Sequence, residues 1–506
     1  MTTLADRLLA TSARRPSAAA IGDGECRADY AALAASTLRF AGVLRTRGVV
    51  PGDRVALVLP NRYEAVVACY GAWLAGAVVV PLNAQASRRE LAAWLAHCEP
   101  ALVLAVSGDA EAEAALELTV APDRRMLLGP RSHAGWPEAA APSPAELPAG
   151  PGVGSDLAMI MYTSGTTGAP KGVTLSHANV AANVGAVVAD LGLAADDCTV
   201  SVLPFYYSYG ASVLHTHLAA GAHVVLEPNL VFPHLVVGTL EREGATGFSG
   251  VPSTFALLLE RGALEGCALP RLRYLTQAGG AMTVALARRL RQRLPGVRLH
   301  IMYGQTEATA RLASVPPARL DDKPGSAGRP IRDVRLQVRD EAGNVLPAGV
   351  EGEVWAAGPG IMCGYWRDPA ASALVLREGW LRTGDIGRMD AEGYLFLAGR
   401  RSDMIKTGAH RVHPLDVEEA LLEHPGIAEV AVVGVPDDVL GQVVSAWVVR
   451  RDPDLCENAI RAHCRGRLAP YKIPRRVDFV SALPRTASGK VRRASLARPE
   501  HLEATP

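Results

Sequence analysis

The stretch TSGTTGAPKG, residues 163 to 172, places three glycines, four hydroxyl side chains and one lysine within ten positions. Gly165 and Gly168 permit positive φ and close approach of backbone to a ligand, so that successive amides can point at one anion. Lys171 adds a point charge, and Thr163, Ser164, Thr166 and Thr167 add donors. The chemistry open to such a set is the holding of phosphate. It is not a Walker A loop, which needs Gly directly before the Lys and Ser or Thr after it. Here the order is Pro170, Lys171, Gly172. On composition alone the stretch reads equally as a phosphate cradle and as a flexible surface turn.

A loop of this kind works only if rigid elements hold its ends. From about residue 53 apolar runs alternate with helical patterns: DRVALVLP, a helix from Arg62, VVVPLN, a helix over Ser87 to Glu99, then ALVLAV. After the loop the alternation resumes with a helix through Ala178 to Ala189, TVSVLPF, HVVLEP, RLRYLTQAGG and RLHIMYG. Repeated strand–helix–strand units predict doubly wound parallel sheets of the α/β class. Ligands of such sheets gather at the carboxyl ends of the strands. From about residue 325 to 399 short glycine-punctuated strands predict an antiparallel sheet or small barrel. A compact α+β domain follows over 405 to 497, and 498 to 506 reads as a tail.

With 506 residues, two or three domains are expected. The 52 Lys and Arg against 51 Asp and Glu leave almost no net field to collect nucleic acid or anionic lipid. The eight cysteines lack any C-x-x-C pair and read as buried thiols in a reducing compartment, the cytoplasm. Nothing near the start directs export. AVVACYGAWLAGAVVVPL, residues 65 to 82, is long enough to span a bilayer, but Gly71, Gly76 and Pro81 divide it into a buried helix and a strand.

Four further segments follow the glycine-rich loop in order: YGQTEAT at 303 to 309, WLRTGD at 380 to 385, GRRSDMIK at 399 to 406, and PRTASGKVRR at 484 to 493. Together the five motifs resemble the adenylate-forming superfamily of acyl-CoA synthetases, peptide-synthetase adenylation domains and luciferases, over essentially the whole chain. The resemblance implies a large core, 1 to 399, a hinge at 400 to 404 and a mobile C-terminal lid. It implies ATP and Mg²⁺, a carboxylic acid joined to the α-phosphate with loss of pyrophosphate, and acyl transfer from AMP to CoA or a separate carrier protein.

By the same resemblance Thr163, Ser164, Gly165, Thr166, Thr167, Gly168 and Lys171 close over the β- and γ-phosphates. Glu307 holds Mg²⁺ and Thr306 contacts phosphate. Tyr303 and the turn Gly279, Gly280, Ala281 border adenine, Asp385 takes the ribose hydroxyls, and Arg400 lies alongside. Lys490 reaches the reacting carboxylate and α-phosphate, whereas Arg492 and Arg493 read as surface charge.

The chain departs from the pattern at Ser402, where the hinge is commonly Asp or Lys, and at Ala409, which follows Gly408 in the passage for the pantetheine arm. His410 and His413 have a metal-like spacing, but a helix start at Pro414 accounts for the second. In LPFYYSYG, Tyr207 takes the aromatic gating position. Ser208 stands where amino-acid-activating members place an aspartate, so a neutral acyl tail, or an amino acid held some other way, is expected. Tyr207, Ser208, Ser249, Gly250, Gln277 and Met302 are the pocket candidates, each equally readable as core. His215 and His217, two apart on a helix, make a poor ligand pair. An amide synthetase with an amine acceptor, an aminoacyl ligase loading a carrier, and a non-catalytic nucleotide-binding homologue are the alternatives.

Overall fold

The computed structural model describes residues 3–129 except 25, 157–163, 170–227, 230–400, 403–437 except 409, 440–485 except 466, and 491–497. Within them the large N-terminal part is built on two mixed sheets. One runs in the order Gly364–Tyr365, Lys171–Ser176, Leu157–Thr163, Val78–Pro81, Arg54–Val58, Leu102–Val106 and Arg125–Leu128. The other carries nine strands, with a parallel centre formed by Ala19–Asp23, His223–Leu226, Cys198–Ser201, Gly247–Gly250, Tyr274–Gln277 and Arg298–Tyr303.

The uncharged run at 65 to 82 resolves as expected. Helix Tyr63–Leu74 is buried along its whole length, Gly76 turns the chain at φ +78, and Val78–Pro81 enters the sheet. No helix among the described residues is long and apolar enough to cross a membrane. Helix Arg88–Cys98 starts at a capping box in which Ser87 and Glu90 satisfy each other's backbone N–H groups. Helix His177–Leu191 is opened by Ser176 in the same way and closed by Gly192 in the left-handed region.

Helices His177–Leu191 and Ser208–Ala220 pack against each other, and Tyr209 and His217 of the second reach Thr276 and Tyr274 of the nine-stranded sheet. His215 Nδ1 lies 3.1 Å from the Tyr70 hydroxyl and His217 Nε2 lies 2.7 Å from that of Tyr274. The two histidines thus serve separate packing contacts, as their spacing predicts. On the opposite face of the same strands, Phe248, Leu275 and Leu299 join an apolar cluster with Phe255, Leu258 and Leu290.

Between Arg335 and Arg400 the strands pair antiparallel, in the order Arg335–Arg339, Gly352–Ala357, Trp380–Met389 and Leu376–Arg377, with Leu395–Arg400 added on Trp380–Met389. Of the two forms expected there, this order is a sheet. The C-terminal domain is a second five-stranded sheet covered by helices Pro414–Leu422 and Glu457–Cys464. All eight cysteines are free; Cys26 and Cys267 are half-buried, and Cys363 and Cys456 are exposed in a surface loop and at a helix start, so the expectation of buried thiols holds for Cys69, Cys98, Cys198 and Cys464 alone.

Candidate functional site

Three neighbouring parallel strands end together. Gly250 pairs in register with Gln277, and Gln277 with Ile301, so Ser249, Gly250, Gln277, Met302 and Tyr303 sit side by side at the carboxyl ends of these strands. The chain leaves each strand by a tight turn. Gly279 has φ +84, and Gln277 Nε2 donates to the Gly280 carbonyl at 2.8 Å, which fixes the Gly279, Gly280, Ala281 turn. A side chain at Gly304 would place its Cβ 1.9 Å from the Ala310 carbonyl, so only glycine lets the loop after Tyr303 fold back on itself.

That loop faces the antiparallel sheet. The buried Tyr303 hydroxyl donates to Asp385 Oδ2 at 2.5 Å, and Arg400 Nε lies 3.1 Å from Asp385 Oδ1. Asp385 and Arg400 are direct partners across adjacent strands, which explains the contact. Burial and the Asp385 charge push the Tyr303 phenol well up, so it stays protonated and donates. Asp385 first, and Glu307 after it, hold the Arg400 guanidinium above its ordinary value.

Glu307 lies in the single helical turn Thr306–Ala308. Its Oε1 accepts from the Tyr365 hydroxyl at 3.0 Å, and Lys171 Nζ stands 5.4 Å from the Tyr365 ring centre. Thr163 and Lys171 oppose each other at the mouth of the hairpin whose tip is the glycine-rich loop. Two of the five motifs therefore meet around Tyr365. Thr306 Oγ1 donates to Ser208 Oγ at 3.3 Å, tying the acidic loop to the LPFYYSYG segment. Tyr207 packs its ring 4.5 Å from that of Tyr206 at the start of helix Ser208–Ala220.

Gly408 lies in the C-terminal domain with φ +57, its N–H on the Leu440 carbonyl; among the described residues no hydrogen bond joins it to the cluster above. Ser164, Gly165, Thr166, Thr167, Gly168, Ser402, Ala409 and Lys490 lie outside the described residues. His413 precedes the helix at Pro414 and sits 3.0 Å from Glu351 Oε1, while His410 stacks on Tyr471. No group of three metal-ligating side chains occurs among the described residues. Arg493 departs from the expectation of surface charge: it pairs with the buried Glu418, because the strand-to-helix turn at the end of the C-terminal domain lays it against helix Pro414–Leu422.

Sequence reasoning passed over Tyr365, Tyr209 and Arg311. Tyr209 Oη donates to the Thr276 carbonyl at 2.8 Å, beside the 2.7 Å Ser249–Thr276 hydroxyl pair. Arg311 was discoverable as a lone charge in the apolar stretch after TEATA. Tyr365 gave no such signal, since its meaning lies in a partner far away in sequence.

The comparisons agree with this layout. The family model described as AMP-binding enzyme matches residues 8–366, and that described as AMP-binding enzyme C-terminal domain matches 416–490. A feruloyl-CoA synthase from Amycolatopsis sp is 35% identical over 96% of each chain. The o-succinylbenzoate coenzyme A synthetase of Bacillus subtilis, solved with ATP and magnesium, superposes with a TM-score of 0.85 at 29% identity, covering 97% of this chain and 99% of that one. An amide bond synthetase from Marinactinospora thermotolerans superposes with a TM-score of 0.87 at 31% identity over 98% of both chains. With four of its five motifs brought together beside these strand ends and nearly its whole length matched, the chain belongs to the AMP-binding enzyme family, as an ATP-dependent ligase that activates a carboxylic acid through its acyl-adenylate and passes it to a thiol.

Proposed function

We propose that the thiol is that of CoA, so that the chain is a cytoplasmic acyl-CoA synthetase using ATP and Mg²⁺. The observation that carries the site reading is the Asp385 carboxylate, held between the Tyr303 hydroxyl and the Arg400 guanidinium beside three strand ends. One carboxylate can accept from both hydroxyls of a ribose, and the Tyr303 ring with the Gly279, Gly280, Ala281 backbone borders adenine. The full-length likeness to a feruloyl-CoA synthase supports CoA over a carrier protein.

Attack of a carboxylate on the α-phosphate drives an anion against a polyanion, so positioning and charge neutralisation supply the catalysis. Thr163, Ser164, Thr166, Thr167 and Lys171 cover the leaving phosphates, with Gly165 and Gly168 as pivots and Thr306 as a further hydroxyl. Glu307 fits a magnesium ion: it is an oxygen donor, its recorded partner is a neutral hydroxyl, and it forms no ion pair among the described residues. Mg²⁺ needs only one or two carboxylates beside substrate phosphates, and when bound it adds positive charge there.

Lys490 contacts the reacting carboxylate and α-phosphate. Tyr207, Ser208, Ser249, Gly250, Gln277 and Met302 border the acyl group. The lid, 405 to 497, then turns about 400 to 404 at Ser402 and admits the thiol past Gly408 and Ala409. The thiol sulfur attacks the acyl carbon, its proton is lost, and AMP departs.

The test is pyrophosphate release over a panel of carboxylic acids, followed by mass analysis with CoA, a phosphopantetheinylated carrier or an amine. A CoA thioester is expected. An amide formed without consumption of CoA overturns the acceptor and supports the synthetase likeness. Lys490→Ala is expected to remove at least about 3 kcal/mol of transition-state stabilisation, over a hundredfold in adenylation rate, with the fold retained.

A further inference from the structure

Only two arginines among the described residues are buried, and they are treated differently. Arg62 is clamped by both oxygens of Glu64, at 2.7 and 2.8 Å. Arg311, 3% exposed, has no ion pair among the described residues, and its Nη1 has no hydrogen-bond partner there. The Asp190 carboxylate acts on it only through space, and a guanidinium stripped of water without a bonded counter-charge is among the costliest groups a core can hold.

Its place in the fold is specific. The loop from Gly304 folds back so that Leu312 N–H returns to the Tyr303 carbonyl, which sets Arg311 at the same strand end as the acidic cluster. Its carbonyl accepts from Asn183 Nδ2 at 2.8 Å on helix His177–Leu191. Its charge is felt by the buried Tyr209 and by His300, the residue in register with Thr276. Around it other buried groups lack partners among the described residues: both ring nitrogens of His300 and Asn183 Oδ1. Native interiors leave few such atoms, so a cluster of them beside an unpaired cation marks a place where a ligand completes the bonding.

We propose that the acid carries a second carboxylate, at the end of its acyl group away from the reacting one, and that Arg311 binds it in the layer between helices His177–Leu191 and Ser208–Ala220 and the nine-stranded sheet. The inference rests on the acid-ligase reading above and refines its substrate class. It departs from the neutral tail expected from Ser208, which rested on the lack of a counter-charge for an ammonium. The guanidinium fork can take both oxygens of a carboxylate, and Tyr209 and the neutral His300 stand by with hydrogen-bonding capacity.

The test compares matched acids differing at the far end, adipate against hexanoate and terephthalate against toluate, by pyrophosphate release with ATP and CoA. Wild type is expected to favour the diacid of at least one pair by about a hundredfold in kcat/KM, since a site built around a charge rejects the analogue lacking it. Arg311→Met is expected to collapse the diacid-to-monoacid ratio by a similar factor, and Arg311→Lys to restore part of it. The ratio is internal to each variant, so partial loss of folded protein does not move it. A wild-type preference for the monoacid in every pair, or an unchanged ratio in Arg311→Met, overturns the proposal. Turnover of monoacids alone refutes it while leaving the ligase reading intact; silence with every acid defeats both.

Discussion

Arg493 sets its Nη2 2.7 and 2.8 Å from the two carboxylate oxygens of Glu418, a buried residue of the C-terminal domain whose Oε1 also accepts from the Val432 N–H. Lys490 lies just ahead of Arg493 in the chain. The pair therefore anchors the segment that leads out of the proposed catalytic lysine. Arg493→Met removes the anchor and leaves Glu418 uncompensated, which is expected to cost about 2 kcal/mol of stability, the arginine being partly exposed. Adenylation is expected to fall about tenfold while the second half-reaction is less affected. Thermal melts and separate assays of pyrophosphate release and thioester formation check both; wild-type adenylation by a well-folded variant would remove the anchoring role.

Asp385 is shared by Tyr303 and Arg400, so its roles can be separated by a double-mutant cycle. Asp385→Asn keeps the shape but loses the charge, and is expected to raise KM for ATP by about tenfold or more. Tyr303→Phe removes only the 2.5 Å hydrogen bond. Because the two residues touch, their effects on ATP affinity are expected to be non-additive by about 0.5–3 kcal/mol. Strict additivity in equilibrium ATP binding would show that the contact does not shape the nucleotide site.

The parts legible beforehand are those where local pattern and site coincide. Apolar runs ending in small or polar residues marked the strand ends at Gln277 and Tyr303, and parallel pairing made them neighbours. The strands Leu157–Thr163 and Lys171–Ser176, which pair at Thr163 and Lys171, were not among those expected. Contacts between residues far apart in sequence were not legible. Glu307 with Tyr365 and Glu418 with Arg493 depend on how separate elements dock, and neither residue type nor spacing carries that information. Arg311 was visible as an odd charge, but only its burial and lack of a partner give it meaning.

Glu307→Gln tests the metal assignment without altering size. The amide still accepts from the Tyr365 hydroxyl, so the melting temperature is expected to stay within about 2 °C of wild type. A neutral oxygen holds a hard divalent cation less well than a carboxylate. The magnesium concentration for half-maximal pyrophosphate release is therefore expected to rise about tenfold. An unchanged magnesium dependence would place the metal elsewhere.

The buried histidines give the fold an acid limit that can be worked out in sign. Burial drives His217 and His300 down to about 4 and His215 to about 3, against an ordinary 6.5. With folded values below the unfolded one, the unfolded chain takes up protons first. The stabilisation from keeping each ring neutral is whole above 6.5 and is lost as pH falls through the folded values. A group moved from 6.5 to about 4 contributes about 3 kcal/mol of this loss at its lower end. His217→Gln retains a polar side chain within helix Ser208–Ala220 but no longer titrates. Between about pH 7 and 5 its melting temperature is expected to fall less steeply than that of wild type, with about one proton fewer taken up on unfolding. Parallel slopes for the two proteins, measured by calorimetry in buffers of different ionisation heat, would show that His217 does not set the acid limit.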